Sequence, residues 1–145
     1  MDTYDSLKLE NQLCFPMYVC AKEIVRRYTP HLDELGLTYT QYITMMVLWE
    51  HKCINVKELG AYLFLDSGTL TPVLKKLEQK GYLTRKRNDG DERVLDICIT
   101  DEGEALKDRA SVIPERIGSC LPLDKDEAAQ LYRLTHKILD SIKDN

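Results

Sequence analysis

The 145-residue sequence has no long apolar run, and none of its runs approaches the roughly 20 residues that a membrane-spanning helix needs. Its first stretch, MDTYDSLKLENQL, is polar and acidic and lacks the apolar core of a signal peptide. Internal repeats and low-complexity tracts are also missing. We therefore expect one cytoplasmic domain at 1–145 that has no membrane partner.

The chain has no CxxC pair among its five cysteines. An odd number without a secretion signal argues against a structural disulfide framework. The three histidines do not stand at metal-ligand spacing with the cysteines, so we expect no metal site and no other cofactor.

The chain as a whole also lacks an excess of positive charge, since its net charge is −4. An acidic balance argues weakly against a nucleic-acid partner. The distribution is uneven, however, because the segment from Lys75 to Arg93 holds seven bases and four acids. A solvated charged face would explain this segment, and so would a DNA-binding surface.

Apolar residues at steps of three and four predict a first helix at 7–28 that Pro30 ends, and a short turn of helix at 31–36. Pro16 lies inside this predicted helix. Either the helix kinks there, or an ordered helix begins at Pro16 and leaves Cys14 at a helix N-terminus, where the dipole lowers the pKa of a thiol. We hypothesise that Pro16 tunes Cys14 or its exposure.

The middle of the chain has the pattern of a helix-turn-helix followed by a β-hairpin, which together make a winged helix. The predicted elements after the first helix are a buried helix at 38–52, two short helices at 55–62 and 67–80, strands at 82–88 and 93–99, a helix at 100–118 that Pro114 bends, and a last helix at 124–143. The predicted fold class is therefore mainly α with a small β-wing. A winged helix-turn-helix at about 38–100 is flanked by helices at about 7–36 and 101–143. Their apolar stripes could pack on the core of the winged helix, but we expect dimerisation helices that pack on a second copy, because two-fold dimers are the commonest oligomers.

The second helix of a helix-turn-helix enters the major groove of DNA, and an arginine at a ribbon tip suits the minor groove. Short hydroxyl side chains start the predicted recognition helix, a proline follows that can touch a thymine methyl, and bases lie on the next turn and on the wing. The candidate DNA-binding residues are Ser67, Thr69, Thr71, Pro72, Lys75, Lys76, Arg85, Lys86, Arg87 and Arg93. The alternative interpretation is that Thr69 and Thr71 are surface residues with no role in DNA binding.

Four stretches resemble the MarR family of regulators, and within it the organic hydroperoxide sensors. They are KLENQLCF around Cys14, GLTYTQYITMMVLWEH at 36–51, LDSGTLTPVLKKLEQKGYLTRKR at 65–87, and the wing stretch DGDERVLDICITDEG. The resemblance covers about residues 8–142. It implies a homodimeric repressor, not an enzyme, that binds an inverted-repeat operator in double-stranded DNA as part of an oxidative stress response.

The resemblance also implies that Cys14 senses organic hydroperoxides: its oxidation to a sulfenic acid would release the repressor from DNA. Tyr18, Tyr28 and Tyr39 match tyrosines that hold the thiolate in similar proteins, and phenolic hydroxyls can donate hydrogen bonds to it. Cys120 matches the region of a possible resolving cysteine; a small-molecule thiol or further oxidation are the alternatives. Apolar neighbours of Cys14 would favour an organic hydroperoxide with an apolar group over hydrogen peroxide.

Three other functions stay open at this point. A MarR-type repressor released by a phenolic or other small ligand would still respond after Cys14→Ser. A thiol peroxidase would turn over peroxide at Cys14, although the nearest arginines in sequence, Arg26 and Arg27, do not resemble an arginine-assisted active site. A winged helix used for protein contacts would have no specific operator.

Overall fold

The structure, a computed structural model, describes residues 2–143. After two 3₁₀ turns at Asp5–Leu7 and Leu9–Asn11, its elements are α1 (Cys14–Asp33), α2 (Tyr39–His51), β1 (Cys53–Asn55), α3 (Val56–Leu63), α4 (Ser67–Gln79), β2 (Leu83–Arg87), β3 (Leu95–Ile99), α5 (Asp101–Ala110), α6 (Ile113–Ser119) and α7 (Lys125–Lys143). The predicted class, mainly α with a small β-wing, is confirmed. No helix within the described residues is both long and apolar enough to cross a membrane.

The chain divides into two compact units between Ile113 and Pro114. The first unit contains α1 to α5 and the sheet, and its core is built mainly from leucines of α2, α3, α4 and β2. The second unit contains α7, none of whose described residues is buried. The apolar side chains Leu131, Leu134, Ile138 and Ile142 of α7 are all exposed.

Helix α1 differs from its predicted bounds at both ends. It begins at Cys14, not at residue 7, because 3₁₀ turns occupy the preceding segment. Pro16 is the third residue of the helix, where the backbone N–H has no intrahelical partner, so a proline there loses no hydrogen bond. The helix therefore begins two residues before Pro16 and not at Pro16 itself, and Pro16 lies in its first turn and not in its interior. Cys14 is the first residue of the helix.

The prediction that Pro30 ends the first helix is wrong, because α1 continues through Pro30 to Asp33. Leu32 lies in the additional turn and is only 2% exposed. The free energy gained by burying its side chain outweighs the free energy of the hydrogen bond that the proline removes. The helix then closes at Gly36, whose φ of +68° is the left-handed conformation that glycine adopts readily. The predicted separate turn at 31–36 is thus largely the last turn of α1.

Side-chain caps mark the starts of the central helices. Thr38 and Gln41 form a capping box at the start of α2, in which the Gln41 amide donates to the Thr38 hydroxyl oxygen at 3.3 Å. Asn55 caps α3 by accepting from the Glu58 amide at 2.8 Å, and Asp66 caps α4 by accepting from the Thr69 amide at 2.8 Å. These caps fix where the two helices of the helix-turn-helix begin.

The sheet has the strand order β1-β3-β2, and both pairs are antiparallel. Strand β1 was missed by the sequence analysis, since three residues with one buried side chain, Ile54, carry no alternating pattern. Ile54 lies opposite the fully buried Ile97 of β3, and this pair faces the core. The wing is therefore anchored at its base to the strand that leads into α3.

The start of α5, directly after the wing, packs against α2. Thr100 caps α5 by accepting from the Gly103 amide at 3.1 Å, and the carbonyl of Gly103 accepts from the Trp49 indole N–H at 2.9 Å. The predicted helix at 100–118 is two helices, because α5 ends at Ala110 and α6 starts at Ile113, with Pro114 in its first turn. Helix α7 is capped by Asp124 and Glu127.

Candidate DNA interface and thiol site

Helix α4 separates a buried face from an exposed one. Leu70, Leu74 and Leu77 are at most 1% exposed and pack into the core. The predicted DNA-contacting residues of α4 are exposed on the other side: Ser67, Thr69, Thr71, Pro72, Lys75 and Lys76. Short polar side chains at the helix start and two lysines further along make a surface that can meet base edges first and phosphates next.

Among the predicted wing residues, Arg85 differs from the others in its contacts. Lys86, Arg87 and Arg93 are exposed, whereas the Arg85 side chain is only 24% exposed. Its Nε and Nη2 donate to Glu78 Oε1 at 3.3 and 3.0 Å, and its backbone N–H donates to Glu78 Oε2 at 3.1 Å. These hydrogen bonds lower the pKa of Glu78. Arg85 therefore ties α4 to the wing, a role that sequence reasoning missed.

Arg93 lies in the loop that joins β2 to β3, and its side chain is 90% exposed. It is paired locally with Asp91, whose carboxylate accepts from the Arg93 backbone amide at 3.0 Å and from its Nε at 3.1 Å. The same hydrogen bonds lower the pKa of Asp91. The pair orients an exposed guanidinium group without covering it, which leaves it able to reach a narrow groove.

Cys14, the predicted sensor, is exposed at the first residue of α1. Phe15 and Met17 are each 41% exposed. An open groove of about 550 Å³ runs beside them, lined by Lys8, Leu9, Glu10, Phe15 and Pro16. The thiol is thus reachable from solvent, and its surroundings offer apolar surface to an organic molecule.

The structure brings two of the predicted thiolate-supporting tyrosines together, but not with Cys14. The ring of Tyr28 lies 5.1 Å from that of Tyr39 and 5.8 Å from that of Tyr42, a third member that the sequence analysis did not name. Burial raises the pKa of all three phenols. We call Tyr28, Tyr39 and Tyr42 the tyrosine cluster.

Cys14 and Tyr28 are fourteen positions apart in α1, which places their Cα atoms about 21 Å apart along the helix axis. The remaining predicted tyrosine, Tyr18, follows Cys14 by one turn and is 63% exposed, with Lys22 Nζ 5.6 Å from its ring centre. Within one chain, Tyr18 is therefore the predicted tyrosine nearest to Cys14 along α1.

The other cysteines have different surroundings. Cys20 and Cys120 are exposed, and the Cys120 thiol donates to the Arg116 carbonyl at 3.3 Å. Cys53 and Cys98 form a disulfide between β1 and β3. The expectation of a chain without disulfides is therefore corrected at this pair, because strands that are distant in sequence lie next to each other in the sheet. No group of residues suited to holding a metal ion occurs in the part of the chain that the structure describes.

Comparison with known proteins places this architecture among bacterial regulators. The family model of the transcriptional regulators SarA/Rot matches residues 26–110. The organic hydroperoxide resistance transcriptional regulator of Bacillus subtilis strain 168 is 47% identical over 131 residues, which cover 90% of this chain and 87% of that protein. The HTH-type transcriptional regulator SarZ of Staphylococcus saprophyticus is 49% identical over 123 residues, which cover 85% and 84% of the two chains.

Solved structures of similar fold include proteins bound to DNA. Reduced AbfR bound to DNA superposes with a TM-score of 0.81 at 34% identity, covering 98% of this chain and 97% of that one. A disulfide-formed AbfR superposes with a TM-score of 0.67 at 35% identity, covering 95% and 94%. A mutant MarR of E. coli complexed with operator DNA superposes with a TM-score of 0.83 at 25% identity, covering 96% and 99%. The predicted winged helix fold is confirmed.

Proposed function

We propose that this chain, which belongs to the MarR family of transcriptional regulators and within it to the organic hydroperoxide resistance regulators, is a cytoplasmic repressor that leaves its DNA operator when an organic hydroperoxide oxidises Cys14. The observation that carries the proposal is the exposed Cys14 at the start of α1, beside an apolar groove, in a chain that shares 47% identity with a hydroperoxide resistance regulator.

The DNA-binding half of the proposal depends on the exposed face of α4 and on the wing. The side chains of Ser67, Thr69 and Thr71 are exposed at the start of α4, where they can reach base edges. The exposed lysines of α4 and the exposed basic residues of the wing can meet phosphates. Since phosphate contacts release counterions, binding to a duplex should weaken steeply with salt. A protein-contact module would show no such specific, salt-dependent duplex binding.

The sensing half begins with the thiolate of Cys14. It attacks the terminal oxygen of the hydroperoxide, so that a sulfur–oxygen bond forms, the oxygen–oxygen bond breaks and an alcohol leaves after protonation. Cys14 becomes a sulfenic acid and the peroxide is reduced by two electrons. The groove lined by Leu9, Phe15 and Pro16 can take the organic part of the peroxide.

We further propose that the tyrosine cluster supports Cys14 across a two-fold axis. Tyr28 is about 21 Å along α1 from Cys14 of its own chain, which is too far for a hydrogen bond. In a two-fold pairing each contact occurs twice, so the tyrosine cluster of one copy can approach Cys14 of the other. The exposed apolar stripe of α7 supplies surface for such a homodimer, which fits an inverted-repeat operator.

Cys120 is the candidate resolving cysteine, and its exposure is compatible with attack on the sulfenic acid of Cys14 in the partner subunit. The related AbfR is known in a disulfide form. If the two cysteines pair, peroxide-treated protein will run as a covalent dimer on a non-reducing gel, and Cys120→Ser will abolish that band.

The proposal is tested by a band-shift on the DNA upstream of the protein's own gene, with and without cumene hydroperoxide. We expect the wild type to release the DNA and Cys14→Ser to stay bound. Release of Cys14→Ser by a phenolic ligand would instead favour a ligand-responsive repressor. Repeated peroxide turnover with a thiol reductant would favour a peroxidase.

A further inference from the structure

Two cysteines that the proposed sensor does not use face each other at the base of the wing. Cys53 in β1 and Cys98 in β3 are direct partners in the antiparallel register, with Cα atoms 4.1 Å apart and a disulfide between them. Their neighbours Ile54 and Ile97 point into the core, so the cysteines lie on the opposite face of the sheet. Cys53 is exposed and Cys98 is partly exposed, which makes the pair reachable from solvent.

The disulfide encloses a defined part of the chain. The bond closes a ring across 45 residues, which contains α3, α4, β2 and the loop between β2 and β3. Every residue of the candidate DNA interface, from Ser67 to Arg93, lies inside this ring, whereas Cys14, the tyrosine cluster and Cys120 lie outside it. The crosslink therefore encloses the DNA-binding segment and no part of the proposed sensor.

We propose that Cys53 and Cys98 are a second redox site, a dithiol that oxidants convert reversibly into a clamp on the DNA-binding segment, independently of Cys14. In a cytoplasm, which the proposed function assigns to this protein, an exposed disulfide is in exchange with thiols and is typically transient or redox-sensing. The proposal rests on the proposed function for that location only.

The chemistry balances with a hydroperoxide as the oxidant. The thiolate of Cys53, the more exposed of the two, attacks the terminal peroxide oxygen, forms a sulfenic acid and releases an alcohol. The thiolate of Cys98 then attacks the Cys53 sulfur, the disulfide forms, and the hydroxide that leaves is protonated to water. Two thiols and one hydroperoxide thus give one disulfide, one alcohol and one water. Two molecules of reduced glutathione restore the thiols and become glutathione disulfide.

Closing the ring changes the unfolded state more than the folded one. Strands β1 and β3 are already paired next to the cysteines, at Ile54–Ile97 and Asn55–Asp96. On the other side the Ile99 amide donates to the Lys52 carbonyl at 2.8 Å, so the crosslink joins positions that the fold holds together. The unfolded chain loses the conformational freedom of the enclosed segment, which raises the stability of the fold. Oxidation here should keep the DNA-binding segment folded, while oxidation of Cys14 is proposed to release DNA.

The test uses the full chain carrying Cys14→Ser, treated with cumene hydroperoxide, denatured and labelled with N-ethylmaleimide. Four cysteines remain in this variant. We expect the intact mass to show four labels before oxidation and two after it, a monomer on a non-reducing gel, and a crosslinked Cys53–Cys98 peptide on mapping. Reduced glutathione should restore four labels, and the melting temperature of the oxidised form should be higher by on the order of 10 °C.

The matched control adds Cys53→Ser, an exposed position where serine is close in size. On oxidation it should neither lose two labels nor gain thermal stability. In the Cys14→Ser protein, four labels after peroxide, an unchanged melting temperature, or a disulfide that reduced glutathione cannot open would each overturn the proposal. No step involves DNA, so failure of the operator assay and failure of this clamp are separate results.

Discussion

Glu78 in the last turn of α4 accepts three hydrogen bonds from Arg85 in β2, two from the guanidinium group and one from the backbone amide. A single carboxylate thus joins the recognition helix to the first strand of the wing. The two parts of the DNA interface are held in one relative position before any DNA arrives, which lowers the entropy that binding must remove.

Replacing Glu78 with glutamine should destabilise the fold in a pH-dependent way. The hydrogen bonds from Arg85 hold the pKa of Glu78 below its ordinary value of 4.5. The stabilisation is therefore present above about pH 4.5 and is lost as the pH falls through the lowered pKa of the folded state. Thermal melts of wild type and Glu78→Gln should differ at pH 7, and the difference should shrink as the pH falls below 4.5. The exposed wing residue Glu92 offers a control, since Glu92→Gln should change the melting temperature little at pH 7. A difference that is the same at pH 3 and pH 7 would contradict this account.

Arg85 and Lys86 are adjacent in β2 but should act differently on DNA affinity. Lys86 is exposed and is expected to contact a phosphate, so Lys86→Ala should reduce the slope of log affinity against log salt by about 0.9. Arg85 is engaged with Glu78, so Arg85→Ala should weaken binding with the slope unchanged. Fluorescence anisotropy across a salt series measures both. If Arg85→Ala also lowered the slope by a full contact, Arg85 would be a phosphate ligand and not a positioning residue.

The tyrosine cluster should remain protonated above the pH at which exposed tyrosines ionise. Burial raises the pKa of Tyr28, Tyr39 and Tyr42 above 10.0, and neighbouring phenols add to the effect at Tyr28 and Tyr42. Since the folded state holds these protons more tightly, its stability is complete below pH 10 and is lost as the pH rises through the raised values.

An absorbance titration at 295 nm checks this expectation. Tyr39→Phe should remove a late-titrating phenol from the curve, because burial raises the pKa of Tyr39. Loss of an early phenol in Tyr39→Phe would mean that the cluster is not buried as described.

Gly103 is required by a close approach of two backbones. An added Cβ would lie 2.3 Å from the Tyr82 carbonyl oxygen and 2.8 Å from Ile99 Cγ1. Gly103→Ala should therefore cost about 1–3 kcal/mol in the free energy of unfolding, the range for overpacked sites. Gly118→Ala is the helical control: a Cβ there meets no atom of the described residues within 4 Å, and its effect should be neutral or stabilising. Equal melting temperatures for the two variants would refute the packing argument.

Local signals in the sequence predicted much of this fold. The predicted helix starts at 38, 67 and 124 lie within one residue of the starts of α2, α4 and α7. Thr38, Asp66 and Asp124 cap these helices, and a cap is decided within one turn. The predicted end of the first helix at Pro30 was wrong because α1 continues to Asp33, where the burial of Leu32, a tertiary effect, stabilises a further turn.

Features that depend on distant parts of the chain could not be predicted. Strand β1 forms because Cys53–Asn55 pairs with the edge of β3. Three residues carry no local pattern that predicts a strand. The contact between Glu78 and Arg85 and the grouping of Tyr42 with the other tyrosines follow from the same long-range packing. The candidate site was therefore predicted as a set of residue types, but the structure was needed to separate DNA-facing residues from positioning ones.

The most direct test of the central claim measures affinity for the operator duplex before and after one equivalent of cumene hydroperoxide per subunit. We predict that the wild type loses affinity by roughly 5–150-fold, the usual range of coupling between two sites, and that dithiothreitol restores it. Cys14→Ser should bind equally well in both conditions. Release of Cys14→Ser by the peroxide, or retention of full affinity by wild type whose Cys14 is oxidised, would contradict the account.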